Sequence, residues 1–296
     1  MGKQATVSTR YQVMNMEVGI GLPNTVLGVD KTGIVDFART AEEAGFSSLG
    51  TIDRIAYGNY ESLTALAAAA AVTERIRLVT DILIAPLRSN AALFAKQTAT
   101  IDHLSGGRLV LGLAPGGRPD DYELSGVDFS RRGRLFDRQL EDLAGFWRGD
   151  GGVGPAPANG RPGLLIGGTS DAAYRRAAQH ADGWTSGGGG AERFAQGLER
   201  VRAAWREAGR EGEPRTMALF YFSLGERAAD RARETLGGYY AFAGEYADQI
   251  VQSAATSEET VREYIDAFER AGCDEVICFP ASADLAQIDL LARAIA

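Results

Sequence analysis

The chain of 296 residues is poor in the side chains that most often carry acid-base and metal chemistry. It holds 2 histidines, His103 and His180, and 2 cysteines, Cys273 and Cys278. So few histidines exclude most His-rich metal sites and argue against a Ser-His-Asp triad, and no metal is expected. Two thiols cannot build a disulfide framework or a four-cysteine zinc site, and Cys278 lies in an apolar run, as a small core residue would. Lysine is scarce as well: Lys3, Lys31 and Lys96 are the only ones, and no Gly-x-x-x-x-Gly-Lys-Ser/Thr phosphate loop exists. No apolar run approaches the roughly 20 residues that span a bilayer. The opening MGKQATVSTRYQV lacks the apolar core of a signal peptide. The net charge of −8 opposes nucleic acid, whose phosphates call for a basic surface, and equally an anionic membrane. A cytoplasmic protein is expected.

What the chain does have is alternation. Apolar or β-branched runs at 16–22, 46–52, 75–83, 108–114, 163–168, 181–186, 216–224 and 274–280 read as strands. Amphipathic or Ala-rich segments at 31–45, 62–72, 90–105, 133–147, 171–180 and 191–209 read as helices, with two more within 226–271 and one at 284–296. The strands are almost continuously apolar, as in a sheet covered on both faces. Eight strand-plus-helix units at this length fit an α/β fold, a single (β/α)8 TIM barrel with extended loops at the C-terminal face of the strands. The alternative is a doubly wound parallel sheet with a helical domain. An N-terminal extension is expected over 1–15 and the barrel over 16–296. The Gly- and Pro-rich 148–163 is either a linker or a surface crossing.

GGRLVLGLAPGGRPDDY, 106–122, tests these alternatives. A dinucleotide fingerprint needs Gly-x-Gly-x-x-Gly between a strand and a tightly following helix. Here Gly112 is followed by Leu113, Ala114, Pro115, Gly116 and Gly117, and the next expected helix begins near Gly133. The stretch therefore reads as a barrel strand opening into a long top-face loop, the kind of loop that carries function.

Two longer stretches carry a resemblance. AKQTATIDHLSGGRLVLGLAPGG (95–117) and LLIGGTSDAAYRRAAQHADGW (164–184) are similar, in order and spacing, to signatures of the luciferase-like flavin-dependent oxidoreductases. The resemblance implies the same barrel. It implies reduced FMN as cofactor, with O2 used to oxidise a small organic substrate, or alternatively the deazaflavin coenzyme F-420 and hydride transfer. The excess of arginine over lysine, with abundant Ala and Gly, suits a GC-rich genome, where the deazaflavin is plausible. A non-catalytic flavin-binding relative is the third reading. A separate flavin reductase and a homodimer belong to the same expectation.

The candidate site residues follow. Gly167 and Gly168 allow close backbone approach, and Thr169 and Ser170 offer hydroxyls and N–H groups just before a helix, where an anion is favoured. On their own they also read as a plain helix cap by Ser170; the resemblance implies a phosphate loop. It further implies a bulge with a non-prolyl cis peptide near Asp81 and Ile82, supporting the flavin ring. Asp81, a charge in an apolar strand, otherwise reads as a structural ion pair. Gly112 is expected at the cofactor. Many members of the resembled family carry a histidine after the second strand; here Asp53 and Arg54 stand there. Arginine stays protonated and cannot serve as a base. The pair is therefore expected to act catalytically by holding an anion, with Asp53 orienting Arg54, unless it is a surface ion pair. Arg118, Asp120, Asp121 and Tyr122 are expected near the pocket, or as solvated rim charge.

Overall fold

A computed structural model describes residues 12–13, 16–30 and 32–296. Strands β1 (Gln12–Val13) and β2 (Met16–Gly21) lead to α1 (Gly33–Ala44), β3 (Ser48–Thr51) and α2 (Ser62–Ala70). Next come β4 (Arg77–Ile84), α3 (Ala91–Leu104), β5 (Leu109–Ala114), α4 (Pro119–Leu124) and α5 (Arg132–Trp147). Then β6 (Gly163–Gly167), α6 (Asp171–His180), β7 (Gly183–Thr185) and α7 (Gly190–Glu207) follow. The chain ends with β8 (Arg215–Phe222), α8 (Ala228–Tyr239), α9 (Glu245–Gln252), α10 (Glu258–Arg270), β9 (Glu275–Pro280) and α11 (Ala286–Ala294).

From β2 to β9 each strand pairs in parallel with the next, and β2 also pairs with β9. The sheet closes on itself as the (β/α)8 barrel, and its unreversed strand order excludes the doubly wound alternative. The 148–163 segment is thus a crossing within one barrel, from α5 to β6. Of the expected 1–15 extension, residues 1–11, 14 and 15 lie outside the described residues, while Gln12 and Val13 pair antiparallel with Glu17 and Met16.

Two expectations change. The loop after β5 contains α4, whose six residues are too few to show a helical period. The stretch 226–271 holds three helices, not two, because Gly244 adopts φ 56° and ends the turn before α9.

The barrel interior is filled by Val79, Leu165, Met217, Leu219, Ile277 and Phe279. Phe279 takes up the space left by two glycines: a Cβ on Gly21 would lie 2.2 Å from its ring, and one on Gly50 2.8 Å. The other face of the strands packs on the helices through residues such as Ile20, Leu78 and Leu111.

Below the apolar layers, at the N-terminal ends of the strands, four charges form a closed ring. Arg77 bridges Glu17 at 2.7 Å and Glu275 at 2.9 Å, and Arg215 bridges Glu17 at 2.9 Å and Glu275 at 2.7 Å. Ser47 and Ser48 also donate to Glu275, at 2.7 and 2.6 Å. Burial alone would raise the Glu275 carboxyl. The Arg77 and Arg215 charges and the two serine hydrogen bonds outweigh it and hold the carboxyl at about 2, against an ordinary 4.5. Its stabilisation is therefore complete above the unfolded value and lost as pH falls through the folded one. Glu275→Gln leaves two half-buried guanidinium groups sharing Glu17 alone. It is expected to lower the unfolding free energy by about 3–5 kcal/mol at neutral pH. Urea unfolding of both proteins at falling pH should show the gap closing in acid.

Candidate active site

The C-terminal ends of the strands carry the site. At the end of β4 the register with β5 shifts between Thr80 and Leu83, and the Asp81–Ile82 peptide is cis. The bulge expected at these residues is therefore present. Asp81 is buried, and its Oδ1 accepts a 2.7 Å hydrogen bond from the Thr185 hydroxyl on β7. Its Oδ2 has no hydrogen-bond partner among the described residues. Burial pushes the carboxyl up to about 7, against the Thr185 hydrogen bond and with help from the Glu275 charge. Asp81 has no ion-pair partner among the described residues.

Ile82, next along the bulge, lines a cavity of about 260 Å³ together with Gly116, Gly167, Gly168, Ser170 and Arg176. A Cβ on Gly167 would come within 2.8 Å of the Ile82 side chain, so glycine is needed for the β6 end to approach the bulge. Gly168 has φ 119°, and its carbonyl accepts a 2.7 Å hydrogen bond from the Trp184 indole, which pins the loop from the core side. Ser170 caps α6, its hydroxyl accepting from the Ala173 N–H at 3.2 Å. Thr169 lies beside this cavity and accepts from Arg193 at 3.3 Å. The structure thus brings Ile82, Gly167, Gly168 and Ser170 to one cavity.

Gly112 is elsewhere. A Cβ there would sit 2.2 Å from the Thr80 carbonyl oxygen, so glycine at this position makes room for the bulge itself.

Asp53 and Arg54 are buried, not on the surface, and they are not each other's partners. Asp53 pairs with Arg88 and accepts from the Ile84 N–H at 2.9 Å, tying the end of β3 to the end of β4. Arg54 pairs with Asp120 and Asp121 and donates to the carbonyls of Tyr239 and Ala56, both at 3.2 Å. Asp121, expected as rim charge, is fully buried and accepts from the Ile55 and Ala56 N–H groups at 2.8 and 2.7 Å. The expectation that Asp53 orients Arg54 is corrected accordingly: α4 supplies the counter-charges.

A second cavity, of about 690 Å³, lies on the other side of the glycine run 187–190. Leu219, Phe220, Tyr221, Tyr240, Tyr246 and Phe268 form much of its wall. Burial pushes the Tyr221 and Tyr239 phenols well above their usual range and also raises Tyr240, while the nearby Arg118 charge acts the other way on each.

Sequence reasoning missed Arg176 and Arg193, the two cations that flank the Gly167–Ser170 loop. A signal existed. Arg193 sits in the first turn of α7, where the helix dipole disfavours positive charge unless an anion is nearby, while Arg176, in the second turn of α6, leaves no such signal. The tyrosine wall left no motif, because α8 and α9 bring it to the barrel from far along the chain.

Asp81 carries a pH signature. Its folded carboxyl titrates near 7 and its unfolded one near 3.8, so the folded state keeps a proton that the unfolded state has lost. Stability is full below the unfolded value and falls as pH rises through the folded one. Asp81→Asn is expected to match the wild type in acid and to exceed it by about 3–4 kcal/mol above neutrality. Thermal or urea unfolding across that range reads the difference, and a constant gap would show that Asp81 does not titrate there.

Comparison with known proteins gives the family. A family model described as luciferase-like monooxygenase matches residues 16–277. An uncharacterized protein of Mycobacterium tuberculosis is 36% identical over 216 residues, covering 61% of this chain and 74% of that protein. The FMNH2-dependent dimethylsulfone monooxygenase of Pseudomonas fluorescens is 29% identical over 225 residues, 68% of this chain and 60% of the relative. A solved F420-dependent secondary alcohol dehydrogenase shares the fold at a TM-score of 0.77 and 17% identity, covering 96% of this chain and 100% of that one. The chain belongs to the luciferase-like monooxygenase family, the flavin-dependent oxidoreductases that its 95–117 and 164–184 stretches resemble.

Proposed function

We propose that the protein is a cytoplasmic monooxygenase that uses reduced FMN and O2 to oxidise a small organic substrate. The observation that carries this is one cavity in which the β4 bulge meets the Gly167–Ser170 loop at the N-terminus of α6. The residues present fit a flavin nucleotide. Gly167 is empty where a Cβ would strike Ile82, and Gly168 holds a left-handed backbone that other residues rarely adopt. The N–H groups at the start of α6, the Thr169 and Ser170 hydroxyls and the Nη1 of Arg176, which the Asp137 pair does not engage, would hold the phosphate. Ile82 would support the ring.

Reduced flavin, when bound, would supply two of the electrons that reduce O2, with one oxygen atom passing to the substrate, which is oxidised, and the other leaving as water. The chain's own residues position and shield. Leu219 and Phe279 close the barrel below the mouth and keep water out. Asp81 holds a proton at the base of the bulge near neutral pH, anchored by Thr185. Asp53 and Arg54 serve as positioning residues: one ties β3 to β4, the other ties the loop after β3 to α4 and α8. Reduced FMN would come from a separate flavin reductase, and the working form would be a homodimer. The FMN-dependent sequence relative favours FMN over coenzyme F-420, whose dehydrogenase is a likeness of fold.

Fluorescence titration with FMN, riboflavin and F-420 tests the reading, followed by O2 uptake with a flavin reductase and candidate substrates. Arg176→Ala is expected to weaken FMN binding about tenfold or more and to leave riboflavin, which lacks the phosphate, unchanged. Equal loss for both ligands would remove Arg176 from the phosphate site. Tight F-420 binding without FMN binding would replace monooxygenation by hydride transfer, and FMN binding without O2-dependent turnover would favour a flavin-binding relative.

A further inference from the structure

The mouth of the barrel holds several arginines, and their partners differ. Arg54 is countered by two carboxylates, Asp120 and Asp121. Arg88 is countered by Asp53 and Glu61. Arg176 is paired with Asp137. Arg118 has no carboxylate partner among the described residues; its one hydrogen bond to the backbone goes to the Tyr239 carbonyl at 3.3 Å. Its guanidinium instead lies over three rings: Tyr239 at 4.5 Å, Tyr240 at 5.1 Å and Phe242 at 4.1 Å from the centroids. Ring faces hold a cation but do not neutralise it. The two acids nearest in sequence, on α4, are turned toward Arg54.

The uncompensated charge stands behind the wall of the 690 Å³ cavity. Tyr240 lines that cavity, and the Arg118 guanidinium lies 5.1 Å from its ring centroid, where its charge opposes the rise that burial gives the Tyr240 phenol. The Tyr240 hydroxyl is 2.5 Å from the Tyr221 hydroxyl, which lines the same cavity. Either hydroxyl can be the donor of that bond, so one of the two O–H groups is left to donate into the cavity that both residues line. A chain of donors backed by a cation, in a low-dielectric wall, favours an anionic oxygen. The wall also carries Phe220, Tyr246, Tyr264 and Phe268, which suit a flat ring, and at its edge Arg193, whose side chain bonds the Thr169 hydroxyl. Gly187 borders the smaller cavity and Gly188–Gly190 the larger, so the two cavities adjoin across one glycine run.

We infer that Arg118, through Tyr240 and Tyr221, makes the larger cavity a recognition site for an aromatic ring bearing an anionic oxygen, a carboxylate or phenolate. That this ligand is the substrate rests on the flavin reading above; that the site binds it does not. The anion-holding role expected for Arg54 falls to Arg118, because α4 has already used its acids on Arg54.

The test is a binding measurement that needs no turnover. The probes are 2-naphthoate and its neutral analogue 2-naphthamide, followed by fluorescence on the full chain with and without FMN. The wild type is expected to prefer the acid by about tenfold or more, as for a charge-assisted hydrogen bond. Arg118→Gln is expected to abolish that preference while leaving naphthamide affinity unchanged, and Tyr221→Phe to reduce it several-fold. Equal affinity of the wild type for acid and amide overturns the inference. So does a preference that survives Arg118→Gln, or one lost in Arg193→Ala instead, since Arg193 also borders the cavity. If circular dichroism shows Arg118→Gln unfolded, Tyr240→Phe carries the same comparison, and an undiminished preference there overturns the inference equally. FMN titration of the same samples separates the two ideas. FMN binding without acid preference refutes only this inference, and acid preference without flavin binding refutes only the flavin reading.

Discussion

Closure of the sheet, β2 against β9, is the constraint from which the other features follow. Eight closed strands leave an interior only wide enough for side chains. Large residues can then point inward only where neighbours are small, and Phe279 over Gly21 and Gly50 is the clearest instance. The same closure brings the first residues of β4, β8 and β9 together with Glu17 of β2, so their charges have to be matched. Two arginines and two glutamates, with two serines, do so. Neutral packing of that end would also have been stable, and what the ring imposes is a cost for any strand out of register. With the bottom locked by charge and the middle filled by apolar side chains, binding is left to the top.

At the top, charge matching again decides function. The loops after β3, β4 and β5 are joined by Asp53, Arg54, Arg88 and Asp121, whose donors and acceptors are largely spent on one another or on backbone. These groups set the shape of the mouth and have little left for a ligand. Groups with unspent capacity lie nearby: the N–H groups of α6, the Oδ2 of Asp81, and Arg118. Ligand chemistry is more readily argued from such unspent capacity than from charge alone, because a saturated ion pair must be broken before it can bind anything else.

Much of the fold was legible because it is written in short-range pattern. Gly45 ends α1 with φ 94°, as a C-cap glycine does, and the apolar runs mark each barrel strand within a few residues. The α4 helix was not legible, since six residues starting at a proline show no period. For the site, the Gly-Gly-Thr-Ser run and the polar break at Asp81 stood out locally, and the structure brings most of them to one cavity. The roles within charge clusters did not stand out. Nothing near Asp53 or Arg54 in the chain shows that one pairs with Arg88 and the other with residues 66 and 67 positions further on. Gly112 looked like a cofactor glycine and is a packing glycine, because the carbonyl it accommodates belongs to a strand 32 residues earlier.

Asp81 shows how the two ends of the barrel are coupled. Its carboxyl sits at the base of the β4 bulge, yet its titration also senses Glu275 in the ring below. Two carboxylates share one narrow interior, and only one of them has cations. Arg77 and Arg215 keep Glu275 ionised far into acid, so its negative charge is permanent at working pH. Burial first, and that fixed charge as a lesser cause, make the second negative charge at Asp81 unfavourable and raise its carboxyl to about 7. The structural ring at the bottom thereby contributes to the field felt at the base of the bulge.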